Sequence, residues 1–381
     1  NMSKRIPFNE PAYFSSSEEL IIDTLRTGKL SGRGPNTVKA EKWLENENKD
    51  ISEVFLTSSC THALEMAAIL LDLSDGDEVI VPSYTFVTSA LAFHMHGARI
   101  RFCDIRQDTL NIDETLIEAA ITEKTKAIVV VHYAGVACEM DEIMKIAKKY
   151  NLIIIEDNAH GIFGKYKGAN LGSIGDLSVF SFHETKNISC GEGGALLVNN
   201  KDFLERAKVI LEKGTNRSLF INGQVDKYSW IDEGSSYVLS DLLAGLLCSQ
   251  LIESNEIQLK RQSLWSNYFD QLSSWSLANG VKLPFVPTYC EQSYHMFYML
   301  MPNHETRNSF IHYLDQLNIS SVFHYLPLDT SVMGVKIAVT DQSPNPVSEH
   351  ISNCIVRLPL FFGLDSDCQS KVIKAVVDFR S

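Results

Sequence analysis

The sequence predicts an α/β protein: a large domain on a mostly parallel, mixed sheet, followed by a smaller α+β domain. Three observations predict it. Between Val54 and Asp157 short runs of Val, Ile and Phe alternate with segments of helical periodicity, as in strands covered on both faces and joined by right-handed crossovers. After residue 250 the alternation gives way to strand-like runs separated by longer helical ones. At 381 residues the chain exceeds one compact core of ordinary size, so two domains are expected, residues 1–250 and 251–381.

The elements follow in order. "VFLT" precedes the helical "THALEMAAILLDL", "EVIVP" precedes "TSALAFHMH", "RIRFCDI" precedes "DETLIEAAI", and "AIVVVHY" precedes "DEIMKIAKKY" and the strand "LIIIED". Val179, Phe180 and Phe182 read as the end of a further buried strand, since aromatic and β-branched residues suit a covered pleat. The glycine cluster Gly191 to Gly194 is no P-loop, lacking the strand, GxxxxGK[ST] and helix order. Its expected work is to turn the chain beneath Lys186 and return "ALLVNN" as a strand. A long helix spans "SDLLAGLLCSQLIESNEIQLKRQSLWSNYFDQL". The smaller domain reads as strands at "YHMFYMLM", "SSVFHYLPL" and "CIVRLPLFF" with helices at "ETRNSFIHYLDQL" and "DCQSKVIKAVVDF".

Composition excludes several classes. Lys+Arg number 34 against Asp+Glu 47, a formal net charge of −13 with no dense basic run, so neither a nucleic-acid face nor a membrane surface is expected. The eight cysteines stand singly, without C-x-x-C or zinc spacing, which fits a reducing cytoplasm and no metal site. The opening "NMSKRIPFNEPAYF" is polar and proline-broken, unlike a signal peptide or anchor.

In such sheets ligands bind beyond the carboxyl ends of the strands, where "TSSCTH", "PSYTF", "EDNAH" and "SFHETK" lie. Lys186, leaving a buried strand, either lays its stem over apolar surface or serves as a desolvated amine nucleophile. Asp157 either caps a following helix or faces a ligand. Together, an amine and a carboxylate are the two groups pyridoxal phosphate needs, the carboxylate keeping the pyridine nitrogen protonated. His160 either bonds the ring hydroxyl or fills a polar core position. The backbone at Cys60 and Thr61, after a turn of small hydroxyl residues, offers free N–H groups at a helix start, either as an ordinary N-cap or as a phosphate cradle. Phe86 is a core aromatic or a ring to stack on the pyridine. His183 is assigned to packing and loop hydrogen bonds.

The blocks "EDNAH", "GDLSVFSFHETKNISCGEGG", "SYTFVTSA" and "HYAGVACEMDEI" resemble the DegT/DnrJ/EryC1 sugar aminotransferases, of the fold-type I pyridoxal-phosphate enzymes, over nearly the whole chain. The resemblance implies Lys186 as the catalytic, cofactor-linked lysine, Asp157 as pyridinium partner, Phe86 as stacked ring, and Ser181 with Cys60 and Thr61 as phosphate cradle. Relatives often carry Gln in place of His160. Many carry an Asn, reaching the partner subunit's phosphate, in place of Ser236, so Ser236 is expected in a shared site of a homodimer. His324 matches a block near the sugar-nucleotide site and is either a substrate contact or structural. The implied reaction moves the amine of glutamate to a dTDP-4-dehydro-6-deoxyhexose, giving a 4-amino-4,6-dideoxygalactose; the gluco epimer and 3-amino sugars are alternatives. Relatives that dehydrate at C3 have histidine at the lysine position, which Lys186 argues against. A regulator that binds the cofactor without turnover is the remaining rival.

Overall fold

The computed structural model describes residues 5–380; of the polar opening segment, residues 1–4 lie outside the described residues. Twelve strands follow in chain order among the described residues: β1 (Glu53–Thr57), β2 (Glu78–Pro82), β3 (Arg99–Cys103), β4 (Thr125–Val131), β5 (Ile153–Asp157), β6 (Lys165–Tyr166), β7 (Ala169–Asn170), β8 (Leu177–Ser181), β9 (Gly194–Val198), β10 (Cys290–Glu291), β11 (Phe297–Leu300) and β12 (Ile355–Leu358). Seven make one sheet in the order β1-β9-β8-β5-β4-β2-β3. Pairings from β3 through β2, β4 and β5 to β8 are parallel, and β9 runs antiparallel to both β8 and β1. The sheet is therefore mixed through a single reversed strand. That reversal is the glycine turn: Phe182 N–H donates to Gly193 O at 2.8 Å, and Ser181 then pairs with Gly194.

Helices cover both faces because the strands are apolar on both. Val79, Val81, Val129 and Ile155 pack on one side with the Ala-rich helix Cys60–Leu70, while Ile80, Ile128, Val130 and Ile154 pack on the other with Met140 and Ile143 of helix Met140–Tyr150. Helices Ser15–Thr27 and Pro35–Glu47, which precede the first strand, pack against Asp241–Ile252. There the Asp241 carboxylate accepts the Thr37 N–H at 2.8 Å and its hydroxyl at 2.9 Å, a helix start capped from a distant helix.

The expected long helix is two, Asp241–Ile252 and Ser254–Ala278, parted at Glu253 where ψ opens to 8°. In the second unit β11 and β12 pair antiparallel, and their core of Phe297, Met299, Val356 and Leu358 is closed by Leu264, Tyr268, Phe310 and Val372 from the surrounding helices. "SSVFHYLPL" does not form the expected strand; only Val322 bridges to Arg357. The chain departs at Tyr325, whose φ is +53°, and Pro327 offers no N–H to continue a ladder. Among the described residues no helix is long and apolar enough to cross a membrane, and no cluster of three metal-ligating side chains occurs.

Candidate active site

The carboxyl ends of β1, β2, β4, β5 and β8 open on one cavity of about 500 Å³. It is lined by Lys186, Asp157, Cys60, Thr61, Phe86, His160, Ser181 and His324, so eight of the nine residues singled out from the sequence meet there. The ninth, Ser236, is exposed and bridges to Glu212 outside this cavity.

Asp157 ends β5 and is buried. Its Oδ2 accepts from Ser89 Oγ at 2.6 Å and its Oδ1 from the Ala159 N–H at 3.2 Å. Ser89 is itself met by Thr85 Oγ1 at 3.0 Å. No helix begins after β5, so the carboxylate caps a turn and is oriented by a serine–threonine pair after β2. Burial raises its pKa, opposed by the Ser89 and Ala159 hydrogen bonds and by the charge of Lys186.

Lys186 lies in the tight turn past β8, its N–H donating to His183 O at 2.9 Å. Burial lowers its ammonium to about 8, while Cys60 and Asp157 favour the charge and Arg357 disfavours it. The amine is thus poised to exchange a proton near neutrality.

The helix Cys60–Leu70 starts under Ser59, whose Oγ accepts the His62 N–H at 3.0 Å. This leaves the Cys60 and Thr61 N–H groups without intrahelical partners at the positive helix end. Gly194 presses against them: a Cβ there would stand 2.4 Å from Cys60 N. The N-cap and cradle readings therefore coexist, with Ser59 capping and the next two amides free. The Cys60 thiol is driven well above its ordinary range by burial, so it is neutral. Ser181, at the end of β8, brings a hydroxyl to the same cavity.

Phe86 is 55 % exposed, not core, and its ring lies 6.4 Å from that of Tyr325. His160 is stacked on His295 at 4.5 Å. The Ala134 N–H points at its Nδ1 at 3.3 Å and burial lowers its pKa far, so the ring is neutral with the proton on Nε2. It offers one N–H donor. His295 donates from Nδ1 to Asn187 Oδ1 at 2.9 Å. His324 meets Tyr133 OH at 2.8 Å through Nδ1 and stacks on Tyr325 at 3.6 Å. His183 bonds Thr185 within its loop, as expected, and also reaches the cavity.

Sequence reading missed Ser89, His295, Tyr325 and Arg357. Ser89 stands in "SYTFVTSA", in the first turn of helix Thr88–Met95 and four residues after Thr85 in the preceding bend; the other three lie after residue 290 and carry no local signal.

These groups fit pyridoxal phosphate: free amides at a helix start for the phosphate, a buried carboxylate for the pyridine nitrogen, and a depressed lysine for the covalent link. Residues 15–377 match the family described as DegT/DnrJ/EryC1/StrS aminotransferase. An uncharacterized protein of Methanocaldococcus jannaschii is 33% identical over 364 residues, 93% of this chain and 92% of that one. The spore coat polysaccharide biosynthesis protein SpsC of Bacillus subtilis is 30% identical over 381 residues, 98% and 96% of the two chains. Among solved structures Spr1654 of Streptococcus pneumoniae in its PMP form superposes with a TM-score of 0.89 at 26% identity, covering 97% of this chain and 98% of that one. It has also been solved in its PLP form.

Proposed function

Because the chain belongs to the DegT/DnrJ/EryC1/StrS family of pyridoxal-phosphate aminotransferases, we propose that it moves the amino group of glutamate to the keto carbon of a dTDP-4-dehydro-6-deoxyhexose. The expected product is dTDP-4-amino-4,6-dideoxygalactose, a nucleotide sugar for surface polysaccharide. The observation that carries the reaction class is the meeting of Lys186, Asp157 and the free Cys60 and Thr61 amides in one cavity. The sugar rests on likeness: "EKGTNRS", "GQVDKYSW", "IDEGSSY" and "RLPLFF" resemble the dTDP-4-amino-4,6-dideoxygalactose transaminase of enterobacterial common antigen synthesis. SpsC, a polysaccharide biosynthesis protein by name, points to the same substrate class.

Bound here, pyridoxal phosphate supplies an electron sink that makes a C–H bond beside nitrogen acidic. The protein's residues do the rest. Lys186 Nζ would hold the cofactor and, when free, its amine would be the base that takes a proton from the donor Cα and the acid that gives it back. With the keto-sugar the same amine would carry the proton in the opposite sense, to the sugar carbon. Asp157, held by Ser89 and Ala159, would be the anionic partner that keeps the ring nitrogen protonated. His160 would hold the ring hydroxyl through its Nε2–H, and Phe86 would stack on the ring. His324, fixed by Tyr133, faces the acceptor. Ser236 reaches the phosphate of the neighbouring subunit of a cytoplasmic homodimer.

The test is incubation of the protein with pyridoxal phosphate, glutamate and dTDP-4-dehydro-6-deoxyglucose, with NMR of the product. An axial amine at C4 is expected; an equatorial amine, or amination at C3, overturns the sugar assignment, and absence of turnover with every amino acid overturns transamination. Asp157→Asn should keep the cofactor bound yet turn over at least about a hundredfold more slowly, the cost typical of deleting one electrostatic stabiliser.

A further inference from the structure

His295 lines the cavity yet has no part in the reaction above. It is 7 % exposed, and contacts on two sides fix its place. Its ring lies against that of His160, with centroids 4.5 Å apart and planes inclined by 21°. Just before it in the chain, Ser293 Oγ donates to His160 O at 2.5 Å. Its Nδ1 meets Oδ1 of Asn187, the residue that follows Lys186, at 2.9 Å. His295 is thereby tied to the two segments that carry His160 and Lys186.

The hydrogen bonds around Asn187 decide which nitrogen of His295 carries the proton. Asn187 Nδ2 spends its N–H groups on Gln258 Oε1 at 2.9 Å and on Ser293 O at 2.7 Å. Gln258 is oriented in turn, since its own Nε2 donates to Ser293 O at 3.0 Å. Asn187 therefore faces His295 with its carbonyl oxygen, which only accepts. Nδ1 must carry the hydrogen, and Nε2 keeps a bare lone pair. Burial holds the ring neutral, its pKa pushed well below the ordinary imidazole range. Among the described residues the only hydrogen bond of this ring is the one through Nδ1. His132, equally buried, has both nitrogens engaged, by Glu156 and by the Cys138 N–H. A sheltered acceptor without a donor is unfavourable, so the donor belongs to something that enters the cavity.

We infer that His295 is a specificity-determining residue whose Nε2 accepts a hydrogen bond from the hydroxyl beside the keto carbon of the acceptor sugar, an inference that rests on the transamination of a keto-sugar proposed above. The choice follows from which entering groups can donate. Phosphates and carboxylates only accept. The one donor of glutamate, its amine, is the group transferred. Thymine and deoxyribose carry donors, but the diphosphate and the hexose hold them away from the keto carbon. Only the hexose brings hydroxyls to the reacting end, and the one next to the keto carbon stands closest to the chemistry. The two stacked imidazoles then divide the work, His160 presenting an N–H and His295 a lone pair.

The test follows the sugar half-reaction in single turnovers from the amino form of the cofactor, with dTDP-4-dehydro-6-deoxyglucose and with its analogue lacking the C3 hydroxyl. Wild type should favour the hydroxylated sugar by about tenfold to a hundredfold in second-order rate constant, the worth of a hydrogen bond whose loss strands a buried partner. His295→Asn can keep the link to Asn187 through its amide N–H but has nothing in place of Nε2. It should lose the preference, slowing on the hydroxylated sugar by about that factor and far less on the analogue. His295→Gln, whose carbonyl can stand in for Nε2, should recover part of it. Conversion of the cofactor by glutamate, which brings no hydroxyl, should change by less than about threefold. If His295→Asn slows both sugars and glutamate alike, the ring only supports His160 and the assignment is overturned. Should His295→Asn fail to fold, wild type alone decides: equal use of the two sugars refutes it. A wild type that takes glutamate but neither sugar strikes the sugar assignment and this inference with it, whereas failure with every amino acid strikes the transamination reading.

Discussion

Lys186 shows how much chemistry one environment adds to one side chain. Its ammonium falls from an ordinary 10.5 to about 8 chiefly through burial. The sign of the linkage follows: between about pH 8 and 10.5 the unfolded chain binds the extra proton, so the cofactor-free protein gains stability as pH rises through that window. Below it the folded state bears the full penalty, on the order of 3 kcal/mol. Lys186→Met, with similar length and no charge, should be more stable than wild type at pH 7, and the difference should shrink toward pH 10. Urea denaturation of both cofactor-free proteins across pH 7 to 10 checks this; a constant difference would mean the amine is not desolvated. Lys186 and Asp157 were legible in the sequence because Asp157 ends β5 and Lys186 follows β8 within five residues, each strand being announced by its own residues. Arg357 and His295 were not, because what distinguishes them is the company they keep. Arg357 stands in a quoted block as an ordinary strand residue, and only the folded chain reveals that no carboxylate reaches it.

Among elements, the hairpin from β8 to β9 and the helix start at Cys60 form one device. The strands and helices of the large sheet were legible because short continuous runs of Val, Ile and Phe alternate with segments of 3.6 period. "SSVFHYLPL" misled because its Val, Phe and Tyr suit a strand, yet the left-handed Tyr325 turns His324 and itself into the cavity. The glycines of the hairpin can be told apart by what each one avoids. Gly194→Ala would drive a Cβ into the backbone of Ser59 and Cys60, 2.4 Å away, so the helix start must shift. Stability should fall by about 1–3 kcal/mol, and cofactor affinity should weaken more than about tenfold as the free amides move off the phosphate. Gly191, at φ +85° with nothing within 4 Å of its Cβ, is the control: Gly191→Ala should cost about 1 kcal/mol of strain and leave cofactor affinity alone. Fluorescence titration with pyridoxal phosphate, beside thermal unfolding, separates the two. Equal affinities would place the phosphate elsewhere.

For the whole molecule the remaining question is whether one chain completes a site. Ser236 stays out of its own chain's cavity, and the loop that leads to it displays Phe220, Ile221, Tyr228, Ile231 and Trp230, the last 81 % exposed. So much apolar surface in one segment suits a covered face better than a solvated one. If a two-fold partner covers it, Ser236 is delivered to the neighbour's phosphate and each dimer holds two reciprocal sites. Ser236→Asp, which sets a carboxylate against that phosphate, should be poorly active, and Lys186→Ala inactive. Mixed by co-expression, the two variants form heterodimers in which one site carries both lesions and the other neither. With random pairing about a quarter of wild-type activity should return, and isolated heterodimers should reach about half. Were Ser236 to act within its own chain, every site in every mixture would carry a lesion, and heterodimers purified through two different tags would stay as weak as their parents.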